Sequence, residues 1–306
     1  MQITSEMVKN LREKTGAGLM DCKAALTAAA GDMEKAIDLL RTKGLAAAAR
    51  KAGRIASEGL VCAHVGTGAG TLVEVNCETD FVAKTDDFAG LVREIAELVT
   101  VKAPRDVEEA LLLPAGGGTL AEKLNAKVAK IGEKISFRRF TRFELHPVAP
   151  GVLSPYIHAG GKIGVLVELS GAGHGNPGAA QLAKDLAMQV AAANPAYVSR
   201  RDVPAEVVEH EKAIYRDQAR ASGKPDKILD KIADGKLEKY FADFCLLEQP
   251  FIKDPDRKVG RLLSEAGKAA GAELSVRRFV RFQVGEGLEK RSADLAAEVA
   301  KQLGQG

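Results

Sequence analysis

The strongest constraint on the fold is that one pattern occurs twice. "TLVEV" at 71–75 returns as "VLVEL" at 165–169, each apolar run broken at the same place, by Glu74 and by Glu168. A helix-like stretch follows in both, "FAGLVREIAELV" from Phe88 and "AAQLAKDLAMQV" from Ala179, with Leu91 and Ile95 matched by Leu182 and Leu186. Each half then closes on a second likeness, "ISFRRFTRF" from Ile135 and "LSVRRFVRF" from Leu274. Such self-similarity marks a supersecondary unit built twice. Period-two runs beside helical stripes make that unit α+β, a small, mostly antiparallel sheet covered by helices. Simple alternation predicts Phe137, Arg139, Thr141 and Phe143 on one face, and Val276, Arg278, Val280 and Phe282 on the equivalent face of the other copy.

Two segments stand outside the repeat. The first fifty residues read as three short helices. Thr4 or Ser5 caps a stripe of Val8 and Leu11, Leu19, Cys22 and Leu26 form a second, and Asp32 caps a third of Met33, Ile37 and Leu40 before Gly44. A unit this short buries only a marginal core, so it reads as an adaptor. "LAAAARKAGR" continues as a charged helix or linker. In the second half, Val207, Glu211, Ile214, Ile228 and Ile232 recur at helical spacing and are interrupted at "SGKP". Gly223 and Pro225 break the helix there, which predicts an antiparallel hairpin. The residues leave open whether its stripe covers the chain's own sheet or faces a partner.

Composition removes several function classes. A chain of 306 residues with a net charge of +3 and no Trp is neither a strongly cationic nucleic-acid binder nor rich in stacking platforms. Cys22, Cys62, Cys77 and Cys245 form no CxxC pair and the histidines are scattered, so reduced thiols are expected and a metal site is not. The start, "MQITSEMVKNLREKTG", reads as neither a secretory leader nor a membrane span, and the cytoplasm is the expected location. "HAGGKIG" runs into a strand where a phosphate loop needs GK[ST] entering a helix. No dinucleotide fingerprint is present, and Cys77 has no histidine near it in sequence to act as base. Arg138, Arg139 and Arg142, with Arg277, Arg278 and Arg281, interleave with Phe as RNA-binding sheets do, yet the apolar members alternate as if packed. RNA binding stands as the second reading.

"NCETDFVAK" at 76–84 places Phe81 in a polar stretch, while the matching place in the second copy, "GAGHGNPG", has no aromatic. Phe81 either folds into the core or anchors an interface, and the residues alone leave both open.

With these motifs in place the chain resembles the elongation factor Ts family. The likeness rests on "LREKTGAGLMDCKAAL", on Thr79-Asp80-Phe81-Val82, and on "AMQVAAANP", "QPFIKDP" and "VRFQVGEG" in order along the chain. It implies an N-terminal three-helix, ubiquitin-associated-like domain over 1–54 and core subdomains over 55–145 and 146–283. It further implies a helical hairpin inserted at 205–240 and a C-terminal module at 284–306. The implied function is guanine nucleotide exchange on elongation factor Tu, bound in its GDP and nucleotide-free forms, with no covalent chemistry and therefore no enzyme activity. Thr79, Asp80, Phe81 and Val82 would reach the magnesium and phosphate side of the partner's nucleotide site, and Arg12, Gly16, Met20 and Cys22 would supply N-terminal contacts. No cofactor, metal, nucleic acid or membrane is implied as a direct ligand. The hairpin leaves a weak homodimer open, although Glu206, Glu209, Lys212 and Arg216 around its narrow stripe predict a mostly intramolecular seam.

Overall fold

The computed structural model describes residues 3–15, 17–171 and 176–289. Three helices come first, α1 (Ser5–Thr15), α2 (Leu19–Ala28) and α3 (Met33–Lys51). The first copy of the repeat contains β1 (Glu58–Val65), β2 (Ala69–Cys77), α4 (Asp80–Ala83), α5 (Asp86–Lys102), α6 (Val107–Leu112), α7 (Leu120–Ile131) and β3 (Ile135–Glu144). The second begins with β4 (Gly151–His158), β5 (Ile163–Ser170) and α8 (Pro177–Ala193), then α9 (Ala205–Ala221) and α10 (Leu229–Phe244). It ends with β6 (Pro250–Phe251), β7 (Asp254–Lys258), α11 (Val259–Ala270) and β8 (Ser275–Gln283). Both main sheets are three-stranded and antiparallel, ordered β1-β2-β3 and β4-β5-β8. The expected α+β class is what these elements form.

The N-terminal helices enclose their own small cluster of Val8, Leu11, Cys22, Leu26 and Ala36. Asp32 starts α3 by accepting from the amides of Glu34 and Lys35. The helix does not stop at Gly44, as a C-terminal glycine signal would have it, but runs seven residues further to Lys51. Gly44 is instead buried against α7, where an added Cβ would sit 3.6 Å from the Asn125 backbone. Tertiary packing outweighs the modest cost of a mid-helix glycine, ~1 kcal/mol against Ala. Ala48 joins the core of the first copy, and Arg41 donates to the Gly117 carbonyl at 3.0 Å.

The two sheets face each other across a thin apolar layer of Val61, Leu72, Phe143, Leu153, Leu166 and Phe282, and their outer faces carry the helices. Each closing strand contains a bulge at the same place. Glu74 pairs with Arg139 but Val75 with Phe137, leaving Arg138 extra, and Glu168 pairs with Arg278 but Leu169 with Val276, leaving Arg277 extra. A bulge resets the alternation. Phe137 and Val276 therefore enter the helix-side cores, while Phe143 and Phe282 enter the layer between sheets. The single-face expectation is corrected by one inserted residue in each copy.

The bulges let two consecutive arginines reach one buried carboxylate. Arg138 and Arg139 donate to Glu74 at 3.0 and 2.6 Å, and Arg277 and Arg278 donate to Glu168 at 3.3 and 2.6 Å. The second arginine of each pair then crosses to the opposite sheet. Arg139 lies 4.2 Å from the Phe282 ring centroid, and Arg278 lies 4.3 Å from that of Phe143. Arg142 and Arg281 donate to the carbonyls of Thr100 and Ala191. All six arginines of the RNA reading are thus engaged within the fold.

The hairpin of α9 and α10 buries Ala219, Leu229, Ala233, Leu237 and Phe241 along its seam and base. On α10 this stripe is one position away from the expected Ile228 and Ile232, and Ile228 is 40% exposed. The true stripe includes Ala233, which apolar-residue spotting overlooks. Lys212 and Arg216 pair across the seam with Asp234 and Asp230 at 3.0 and 2.5 Å.

Burial alone would raise the Glu74 pKa, but donation from the Gly285 amide, Arg139 and Arg138 outweighs it and holds the carboxyl below its usual range. A depressed folded-state pKa contributes stability above the unfolded value of roughly 4.3, lost as pH falls through the folded value. Glu74→Ala leaves buried donors unmatched and should cost about 3–5 kcal/mol in urea unfolding. Glu168→Ala should cost less, because Glu168 accepts from two arginines whereas Glu74 also accepts from Asn76 and Gly285. Glu74→Gln should also flatten the acid limb of the stability profile, and equal losses for the two alanine variants would contradict this account.

Candidate functional site

Strand β2 lies in the middle of its sheet, is buried along its length, and delivers the chain directly into Thr79-Asp80-Phe81-Val82. Thr79 caps the single turn α4, its hydroxyl accepting from the Val82 amide at 3.3 Å. Thr85 closes the other end, donating to the Val82 carbonyl at 2.8 Å while capping α5 through the Phe88 amide. Ala83 is buried and Val82 packs part-way into the core of the first copy. The same turn aims Phe81 outwards. It is 79% exposed, so the core reading of the sequence does not hold. Asp80 is half-buried beside it and pairs with Lys84 at 2.6 Å, and that hydrogen bond holds its carboxyl below the usual range.

Two carboxylates that the sequence did not single out brace this loop. Glu133 accepts from the amides of Glu78 and Thr79 at 3.1 and 3.0 Å and from the Thr79 hydroxyl at 2.6 Å. Glu78 accepts in return from the Lys134 amide at 2.6 Å and from Arg54 at 3.2 Å. Glu133 and Lys134 lie more than fifty residues from the loop they hold, so no local spacing signals them. The one hint is Gly132, the left-handed cap of α7 with φ 87°, which turns the chain so that Glu133 meets the loop.

The N-terminal candidates separate. Met20 is 72% exposed and Arg12 is exposed on α1, with Leu19 also open to solvent. Cys22 is fully buried in the N-terminal cluster, its sulfur 3.8 Å from the Ala17 carbonyl, and burial raises its pKa. It packs α2 and presents nothing to a partner in this structure. Gly16 lies outside the described residues. Between the N-terminal helices and α7 runs a cleft of about 680 Å³ lined in part by Lys14, Arg41, Arg50 and Lys127.

Cys77 is buried, and its thiol is pushed up to about 12, first by burial and then by the Glu133 charge. The thiolate needed for nucleophilic attack is therefore suppressed. Among the described residues no cluster of three or more His, Cys, Asp or Glu side chains could hold a metal, and no helix is long and apolar enough to cross a membrane. The feature that stands out is an acid–aromatic turn at the end of the central strand of its sheet, with the aromatic open to solvent.

The family model described as Elongation factor TS matches residues 78–286. Relatives bearing the name Elongation factor Ts include that of Syntrophotalea carbinolica, 52% identical over 302 residues, covering 98% of this chain and 99% of its own length. That of Clostridioides difficile is 50% identical over 304 residues, covering 98% and 99%. That of Clostridium perfringens is 49% identical over 306 residues, covering 99% and 100%. The chain belongs to the elongation factor Ts family.

Thiol accessibility checks the inert reading of Cys77. In the folded chain at pH 8, Cys62, which is only partly buried, should react with a disulfide reagent first. Cys22, Cys77 and Cys245 should react at rates set by unfolding. Rapid labelling of Cys77, located by peptide mapping, would reopen the nucleophile.

Proposed function

We propose that this chain is a guanine nucleotide exchange factor that binds elongation factor Tu and promotes GDP release through the Asp80–Phe81 turn. The observation that carries this reading is Phe81, an exposed aromatic on a doubly capped and braced turn. Burying such a side chain in a partner yields ~1.5–3 kcal/mol, with little conformational freedom left to lose in the turn.

GDP is held in GTPases through its phosphates, by backbone N–H groups and by Mg²⁺. A wedge that requires a different arrangement of that site weakens the nucleotide, and the nucleotide weakens the wedge, by the same coupling free energy. A change of ~10⁴ in nucleotide affinity needs roughly 5.5 kcal/mol of coupling. Phe81 accounts for part of this by displacing packed side chains, and the remainder comes from a broader interface. Asp80 adds a carboxylate on the magnesium side. Its only ion-pair partner among the described residues is the flexible Lys84, and an exposed pair of this kind is weak enough in water to be exchanged for another cation or donor. The exchange forms and breaks no covalent bond.

Met20 and Arg12, both exposed, supply further partner contacts from the N-terminal unit, taken as a docking domain over 1–54. The hairpin at 205–240 is an arm whose seam is satisfied internally, which supports one copy of this chain per partner and at most weak self-association.

Two measurements test this. Phe81→Ala should slow release of a fluorescent GDP analogue from elongation factor Tu by roughly tenfold or more, the scale of an interface hot spot. Its melting temperature should stay near the parent's, because a buried Phe would instead cost ~3–5 kcal/mol. Normal exchange by a stably folded Phe81→Ala would defeat the reading. Second, sedimentation equilibrium should find a monomer with or without the arm, and replacing 205–240 by a short Gly/Ser linker should keep most of the exchange activity. A tight dimer that dissociates on arm removal, with exchange lost, would assign the arm a different role.

A further inference from the structure

We infer that Glu133 is a positioning residue for nucleotide exchange, acting through Phe81 and contacting no part of the nucleotide site itself; this rests on the exchange reading of the Asp80–Phe81 turn. A single helical turn of four residues has almost no stability of its own, since helix nucleation is costly. Something else must fix the direction in which Phe81 leaves it. The carboxylate of Glu133 accepts from both amides at the entrance to the turn and from the capping hydroxyl, three donors on one side chain. The Thr79 hydroxyl, by donating to Glu133, is oriented to accept from the Val82 amide on its free side. One charged group thereby sets both the entry angle of the chain and the cap of the turn.

The second copy shows that this brace is not a requirement of the fold. Its helix α11 also ends on a left-handed glycine, Gly271, with φ 62°, and its closing strand also pairs with the central one. At the place corresponding to Glu133, three residues before the matched serines Ser136 and Ser275, it has Ala272. There the two chain segments meet backbone to backbone, with Gly171 so close that an added Cβ would lie 1.9 Å from the Glu273 carbonyl oxygen. The copy that lacks an aromatic in the loop also lacks the carboxylate. Both closures hold a strand end to a helix end, and the Glu133 version also orients an outward-facing turn.

The test compares the full-length chain with Glu133→Ala, Glu133→Gln, Phe81→Ala and the Phe81→Ala/Glu133→Ala double variant. Removing the carboxylate should slow GDP release by roughly tenfold, in line with the sensitivity of positioned groups to small displacements. Glu133→Gln retains an acceptor and the side chain's shape, so its rate should fall between. Amide hydrogen exchange in the free chain should show faster exchange at Thr79 and Val82 in Glu133→Ala, with protection in β5 and α8 unchanged. The double variant should be no slower than Phe81→Ala alone, because a residue acting only through Phe81 has no effect once Phe81 is gone. Additive slowing, or Glu133→Ala exchanging GDP at the parent rate while Phe81→Ala is slow, would overturn the positioning role and leave the exchange reading standing. Normal exchange by Phe81→Ala would remove the exchange reading and this inference with it.

Discussion

Two arginines crossing between sheets hold the molecule in one arrangement. Arg139 of the first copy lies over Phe282 of the second, and Arg278 of the second lies over Phe143 of the first. Each guanidinium is simultaneously tied to the buried carboxylate of its own sheet, Glu74 or Glu168. A charge drawn into a packed layer is expensive unless it is paired and hydrogen-bonded. The geometry meets that condition from both sides, with carboxylate, ring face and main-chain acceptors such as the Gln283 and Glu144 carbonyls surrounding the two guanidinium groups. Slipping one sheet on the other by a residue would break both cation–ring contacts and leave both carboxylates poorly matched. Register and sheet pairing are thus specified together, which an all-aliphatic layer would specify less sharply.

The duplicated frame carries unequal loads. Glu74 also accepts from the Gly285 amide and from Asn76, and Arg138 reaches the Glu286 carbonyl, so the segment after β8 is anchored on the first sheet. Glu74 stands on the same strand that delivers Asp80 and Phe81 a few residues later. The better satisfied of the two buried carboxylates therefore lies on the strand that leads into the turn proposed to do mechanical work on a partner. The second copy spends its freedom differently, opening between α8 and α11 to admit the hairpin, with Arg200 clamped by Glu238 and Glu248 over the Phe241 ring at the hairpin's base. One copy provides a stiff presenting surface and the other provides reach.

Much of this was legible in the sequence, because duplication doubles every signal. The central and closing strands of each copy, the helix following each central strand, the hairpin break at "SGKP" and the outlying Phe81 all follow from pattern. Three features did not. The bulges at Arg138 and Arg277 insert a residue that has no propensity signature, although a consecutive Arg-Arg opposite a buried Glu in both copies is the trace they leave. The continuation of α3 through Gly44 depends on α7, some eighty residues away, whose backbone makes a bare helix face useful. Glu133 was invisible because two of its three donors are main-chain amides, which every residue has. A carboxylate serving amides writes nothing into the sequence at the other end. Cys22 sits in a recognisable motif yet is buried, because such a motif contains packing residues as well as exposed ones.

Leaving a large aromatic in water looks like a defect, and the way it is tolerated bears on what it is for. A mobile loop would let Phe81 collapse onto the nearest apolar surface, including the chain's own half-buried Val82 and neighbouring helices. Collapse would protect solubility and remove the anchor. Fixing the turn at both ends, through Thr79 and Glu133 before it and Thr85 after it, forbids that collapse by geometry. The charged neighbours Asp80 and Lys84 keep the exposed apolar area to a single side chain, too small to drive self-association. Rigidity then serves recognition directly: the side chain enters a complementary pocket without first paying to be ordered, so its burial free energy remains available to displace whatever the pocket held before. An aromatic presented in this way gains from a partner that must rearrange to admit it, and a partner whose rearranged state holds its nucleotide poorly is one from which the nucleotide leaves.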